Sequence, residues 1–217
     1  MPIHFLQLKL NTMYICIEGN IGAGKTTVAL ALAKRRNAAF LEEQFEDNPL
    51  LHLFYKNRKQ MAFPLEYSFL LSRHAQLHNH FKRKSKKITV ADFSLHKCLW
   101  FAKSNLNKEE FELYKTHFKI IESVAKAPAL IIYINTLPEN LLLNIKRRGR
   151  KYEKSIDKAY LMGVADSYKS GLKKVKGIPV IEFFVSVYTA KTFEGIVNHI
   201  DDILKKGITF KYKEIIL

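Results

Sequence analysis

The chain has 217 residues, 47% of them apolar and 26% charged, which suits one globular domain with a full core and argues against a fibrous or disordered chain. No apolar run approaches the ~18 residues of a membrane span, and Met1 to Gln7 lacks the basic, long-apolar, small-residue plan of a secretory signal, so no membrane partner is expected. The net charge of +16 raises the question of nucleic acid, while Cys16 and Cys98 lack metal-ligand spacing and point to a reducing, cytoplasmic setting.

In chain order, residues 1–12 read as an N-terminal appendage and 13–217 as a single domain. Met13 to Ile17 is apolar and partly β-branched, as a buried parallel strand should be. It runs into Gly19-Asn20-Ile21-Gly22-Ala23-Gly24-Lys25-Thr26-Thr27, a full match to the phosphate-binding loop G-x-x-x-x-G-K-[ST]. Thr26 to Arg36, rich in Ala, Leu and Lys, reads as the helix behind it. Glycines at 22 and 24 let the backbone curl so that successive N–H groups face phosphate oxygens, and the helix N-terminus adds its dipole. Lys25 would reach the β- and γ-phosphates and the Thr26 hydroxyl would sit on Mg²⁺. Binding of a nucleoside triphosphate, with ATP and Mg²⁺ as cofactors, is the expectation.

Further along, Ala38 to Leu41 reads as a second strand, and Asn48-Pro49 as a helix cap with proline in the first turn. Pro64 marks the start of a longer helix to about Phe81, Ile88 to Ala91 is a third strand, and Asn107 opens a helix through a capping box with Glu110. Leu130 to Ile134 is a fourth strand. Thr136-Leu137-Pro138-Glu139 reads as another capping box, with its helix ending at Gly149. A helix from Ser155 to about Lys174, a fifth strand over Val180 to Phe184 and a final helix from Lys191 to Lys206 complete the pattern. Strands alternating with helices imply an α/β fold: a five-stranded parallel sheet covered on both faces, with its site at the carboxyl ends of the strands.

That rule selects residues by position. The second strand delivers Glu42 and Glu43, and the third delivers Asp92; a carboxylate there can support Mg²⁺ or take a proton from an attacking hydroxyl. Asp92 suits the magnesium and Glu43 the base, with a solvated acidic turn as the plainer reading of residues 42–47. The basic run Lys146 to Lys151 could fold over the donor phosphates as a lid, or be ordinary helix-end charge. Lys82 to Lys87 reads as a solvated loop. Glu66 and Arg73, two helical turns apart, share an apolar helix face, where charges are costly unless paired or used.

Together these segments resemble the deoxynucleoside kinase family, the P-loop kinases of deoxyadenosine, deoxyguanosine and deoxycytidine. The resemblance rests on the Gly19-Asn20-Ile21 variant of the loop, on Glu43-x-x-Glu46-Asp47-Asn48-Pro49 followed by Phe54-Tyr55, and on Phe101-Ala102-Lys103-Ser104-Asn105-Leu106. Arg148-Gly149-Arg150-Lys151-Tyr152-Glu153 is similar to the family's arginine-rich lid. It implies phosphorylation of a deoxynucleoside 5′-hydroxyl in nucleotide salvage, with a helix-packed homodimer. Glu43 would then be the base, Tyr55 and Glu153 the holders of the 3′-hydroxyl, Arg148 and Arg150 the lid arginines, Asp92 the magnesium-linked acid, and Arg73 and Glu66 the base readers. Three positions depart from the family pattern: Phe93 stands where an arginine is usual, Gln44 where proline is, and Glu66 where glutamine is. A carboxylate only accepts, so Glu66 beside Arg73 favours purines, guanine in particular. Lys97, a turn beyond Phe93, could supply the lost charge. A nucleoside monophosphate kinase, and a nucleotide- or nucleic-acid-binding protein without kinase activity, are the alternatives; a nucleic-acid partner is not expected.

Overall fold

The computed structural model describes residues 14–83 and 88–217. The expected appendage, Met13 of the first strand and Lys84 to Lys87 of the basic run lie outside the described residues. Among the described residues, no helix is long and apolar enough to cross a membrane.

A parallel sheet forms the middle layer, in the order β2-β3-β1-β4-β5-β6. Its strands are β1 Tyr14–Gly19, β2 Ala39–Leu41, β3 Thr89–Ala91, β4 Leu130–Thr136, β5 Val180–Val185 and β6 Tyr212–Ile216. The sheet therefore has six strands where five were expected. The sixth carries Lys213 and Glu214 side by side and exposed, which breaks the apolar alternation and suits a strand with one open edge.

The strand side chains alternate between two cores. Ile15, Ile17, Ile132, Ile134, Ile181 and Phe183 face one, while Tyr14, Cys16, Ile131 and Tyr133 face the other. Both faces must be covered, and helices α1 Lys25–Arg36, α6 Pro138–Arg148 and α8 Ala190–Lys206 bury the first through Leu32, Leu141 and Ile200. On the second face lie α3 Arg58–Lys82, α4 His96–Asn105, α5 Lys108–Val124 and α7 Lys158–Leu172, packed through Leu70, Trp100, Phe118 and Tyr168. The short α2, Pro49–Lys56, joins α3 in a third cluster around Phe54 and Leu65.

Several helix ends differ from the sequence expectation, each for a local reason. Helix α3 begins at Arg58, capped by the Asn57 side chain on the Gln60 N–H, and Pro64 lies inside it. The carbonyl that Pro64 leaves unbonded belongs to Gln60, an exposed residue, so solvent can satisfy it. Thr136 makes no capping box, because it ends β4 and its hydroxyl donates to the Val185 carbonyl at 2.8 Å. Helix α7 starts after Asp157, whose side chain accepts from Tyr160 N–H, and Lys151–Ser155 forms a separate 3-10 turn. The Asn107–Glu110 capping box and the left-handed Gly149 at the end of α6 are as expected. Helix α4, with no side-chain cap to announce it, has no signal in the sequence reading.

Candidate active site

The carboxyl ends of β1, β2 and β3 open onto a cleft of about 850 Å³. Its floor is the glycine loop between β1 and α1. Gly22 and Gly24 have φ of 82° and 77°, where a side chain is strained. A Cβ on Gly22 would stand 2.8 Å from the Leu141 carbonyl, and one on Gly24 2.8 Å from the Phe193 ring. Space and dihedral both demand glycine. Helix α1 has no side-chain cap, so its first N–H groups remain available to an anion.

Ile21, Gly22, Gly24, Lys25, Thr26 and Thr27 line the cleft, whereas Gly19, Asn20 and Ala23 are buried beneath it. Asn20 braces the loop: its amide donates to Leu161 O at 2.8 Å and its carbonyl oxygen accepts from Ile21 N–H at 2.8 Å. Lys25 Nζ lies 2.9 Å from Asn20 O, folded against its own loop. Burial, and next the charge of Lys97, lower its pKa to about 7, although Glu43, Glu18 and Asp92 oppose the shift. Phosphate oxygens would restore the charge that this pocket disfavours.

Glu43 and Asp92 meet across the ends of β2 and β3. Asp92 Oδ1 accepts the Glu43 N–H at 2.8 Å, and Oδ2 accepts the Thr26 hydroxyl at 2.5 Å. A carboxylate and a threonine hydroxyl beside a phosphate loop are hard oxygen donors, the chemistry Mg²⁺ selects, so these residues fit that ion. Glu43 itself is buried between two cations, Arg73 and Lys97. Burial pushes its carboxyl up, but Lys97 and Arg73 outweigh that and hold it at about 2.

Away from the loop the cleft is walled by Leu51, Tyr55, Phe69 and Phe101, with Arg73 and Glu153 as its polar ends. This is a slot for a flat apolar group with polar edges. Glu66 does not line it: the side chain lies behind, 1% exposed, with Oε1 accepting from the Asn105 amide at 2.6 Å. Its Oε2 has no hydrogen-bond partner among the described residues, and burial lifts the carboxyl to about 7.

The lid lies over the opposite rim. Arg148 clasps both oxygens of Glu153, with Nη2 at 2.6 and 2.7 Å. Arg150 pairs with Glu46 and stands 3.6 Å from Glu153. All of the sequence-predicted side chains except Asn20, Ala23 and Glu66 therefore reach one cleft. Others in it belong to no motif of their own, although Asn144 stands where the resemblance allows the lid helix another arginine. Asn144 donates to Gly22 O at 2.9 Å, the Tyr188 hydroxyl donates to Ala23 O at 2.7 Å, and Phe193 packs on Gly24. The loop after β5 and the first turn of α8 bring Tyr188, Thr189 and Phe193 to the phosphate loop only through the sheet order, which short-range sequence cannot report.

The family model for deoxynucleoside kinase matches residues 15–206. A deoxyguanosine kinase of Bacillus subtilis (strain 168) is 37% identical over 166 residues, covering 75% of this chain and 80% of that protein. A deoxyadenosine kinase of Dictyostelium discoideum is 32% identical over 191 residues, covering 83% and 75%. A solved structure of deoxyadenosine kinase from M. mycoides with bound dCTP is 26% identical, with a TM-score of 0.72 over 88% of this chain and all of that one. The family match spans the residues that line this cleft, from Ile21 to Phe193, and the chain belongs to the deoxynucleoside kinase family.

Proposed function

We propose that this protein transfers the γ-phosphoryl group of Mg·ATP to the 5′-hydroxyl of a purine deoxynucleoside. The observation that carries the reading is the convergence of the glycine loop, the Glu43–Asp92 pair and the aromatic slot on one cleft. In this reading Glu43 takes the hydroxyl proton, the new O–P bond forms in line, and the bond to the β-phosphate breaks with its electrons leaving on ADP. Thr26 and Asp92 would hold Mg²⁺, which supplies charge neutralisation at the β- and γ-oxygens. Lys25, Arg148 and Arg150 would bind the donor phosphates. Tyr55 and Glu153 would hold the 3′-hydroxyl, and Arg73 with Glu66 the base edge.

The purine preference has support from the deoxyguanosine and deoxyadenosine kinases among the relatives. Glu66 lies just behind the slot with Oε2 buried and without a hydrogen-bond partner among the described residues, so meeting a guanine N–H would require its side chain to turn into the slot. For a homodimer, support comes from Leu71 on α3 and Leu113, Ile120 and Val124 on α5, all exposed on helices joined through Tyr67 and Tyr114. Two buried free thiols, Cys16 and Cys98, suit a cytoplasmic setting.

The test is transfer from Mg·ATP to deoxyadenosine, deoxyguanosine, deoxycytidine and thymidine in parallel, with the four monophosphates as comparison acceptors. Turnover on the purine deoxynucleosides is expected. Turnover confined to monophosphates would make the protein a nucleoside monophosphate kinase, and steeply salt-dependent DNA binding without turnover would favour a binding protein. Sedimentation of wild type against Ile120→Glu checks the dimer.

A further inference from the structure

The cleft holds one buried cation without a part in the reaction above. Lys97 is the second residue of α4, 6% exposed, with Nζ 2.5 Å from Glu43 Oε2 and 5.6 Å from the Phe101 ring centroid. An ammonium has three donors, and among the described residues only the Glu43 bond is present. A buried lysine with spare donors facing a phosphate site is costly unless those donors are used at some stage.

Glu43 is held by two cations of different kinds. Arg73 places two nitrogens on Oε1 and is itself fixed by Cys98 Sγ at 3.2 Å and the Phe69 ring at 4.5 Å. Lys97 makes a single contact, on Oε2, at the end of a flexible four-carbon stem. Lys97 can leave without releasing the carboxylate; Arg73 cannot. The segment after β3 supplies no other cation, because Phe93 is fully buried in the core. Arg148 and Arg150 stand across the cleft, already engaged with Glu153 and Glu46.

We infer that Lys97 is a catalytic cation that changes partners during the cycle: the acceptor hydroxyl displaces it from Glu43 Oε2, and its Nζ turns onto the phosphoryl group in transit. This rests on the reading of the cleft as a kinase site. The proton of the hydroxyl goes to Glu43, the O–P bond to ADP breaks, and Lys97 keeps its protons throughout. Lys25 would grip the donor side of the moving group and Lys97 the acceptor side.

The experiment compares wild type, Lys97→Met and Lys97→Arg in two arms. The first measures kcat and KM with Mg·ATP on whichever acceptor the wild type uses. The second measures affinity for ADP with and without aluminium fluoride, a mimic of the planar phosphoryl group, in the presence of that same acceptor. Lys97→Met should lose about 10²–10³-fold in kcat with KM for ATP unchanged. It should lose the extra affinity that fluoride confers while keeping its affinity for ADP. Lys97→Arg, which keeps the charge, should recover part of both and guards against a variant that fails to fold. Wild-type kcat in Lys97→Met, or equal losses of affinity with and without fluoride, would overturn the inference. Transfer by wild type to monophosphates alone would instead remove the nucleoside reading, and both arms would still decide Lys97.

Discussion

Arg73 meets Glu43 through two nitrogens that share one oxygen, Nε at 2.7 Å and Nη2 at 2.6 Å from Oε1. The pairing spends one carboxylate oxygen on orientation and leaves Oε2 turned toward Lys97 and the cleft. The same residue that is offered as base is thus the anion on which two buried cations depend.

Glu43→Ala should accordingly show two separable losses. Removal of a positioned general base costs about 10²–10⁴-fold in turnover. Leaving Arg73 and Lys97 without a counter-charge should cost about 3–5 kcal/mol of stability, as breaking a buried pair does. Glu43→Gln, which keeps the hydrogen-bonding shape, should lose the rate and less of the stability. Kinetics beside urea unfolding checks both, and a Glu43→Ala protein with near wild-type turnover would remove Glu43 from the base role.

Glu66 offers a pH test. Burial lifts its carboxyl from 4.5 to about 7, against the pull of the Asn105 amide and of Arg73. Between those values the folded protein binds more protons than the unfolded chain, so this group makes stability fall as pH rises through the window and level off above it. The gap corresponds to about 3 kcal/mol at most. Glu66→Gln is neutral throughout and should flatten the slope between pH 5 and 7, although an unpaired amide at the same place takes back about 1–3 kcal/mol. Urea midpoints across that range test the slope. The same variant should redistribute turnover among the four deoxynucleosides; unchanged ratios would exclude Glu66 as a base reader.

How far the sequence reports this site depends on how local each requirement is. The loop at Gly19–Thr27 was legible because curling backbone round phosphate imposes glycine and lysine at fixed spacing within nine residues. Asp92 and Glu43 were legible because the sheet rule puts strand ends at the site. The charges on Glu43, the brace from Asn20 to Leu161 and the Tyr188 hydroxyl on Ala23 join residues tens to more than a hundred positions apart, where no pattern exists to read. Thr136 and Pro64 misled for the opposite reason: each carries a strong local helix-start signal that the sheet, or the earlier Asn57 cap, overrode. The sixth strand stayed hidden because edge positions admit the very charges that erase alternation.

Asp92→Asn tests the magnesium role proposed for this carboxylate. An asparagine can keep the Glu43 N–H bond with its carbonyl and meet the Thr26 hydroxyl with its amide, so the strand ends should stay joined. The charge opposite the ion is lost. The magnesium concentration for half-maximal rate should therefore rise several-fold while the melting temperature holds. Parallel losses of magnesium response and stability would show that Asp92 serves the fold instead.

The proposed reaction gives Glu153 two duties, and its neutralisation separates them. It is buried, yet both oxygens are taken by Arg148, with Arg150 close by. As a holder of the 3′-hydroxyl with Tyr55, it should strengthen nucleoside binding; as counter-ion to the lid, it competes with ATP for two arginines. Glu153→Gln should then raise KM for the deoxynucleoside about ten- to a hundredfold, the worth of one hydrogen bond to a charged group. KM for ATP should fall or stay level, because the guanidinium groups are freed for phosphate. A purely structural Glu153, needed only to order the 3-10 turn, would worsen both constants together when neutralised. Opposite movement of the two KM values is the signature that assigns one carboxylate to both the sugar and the lid.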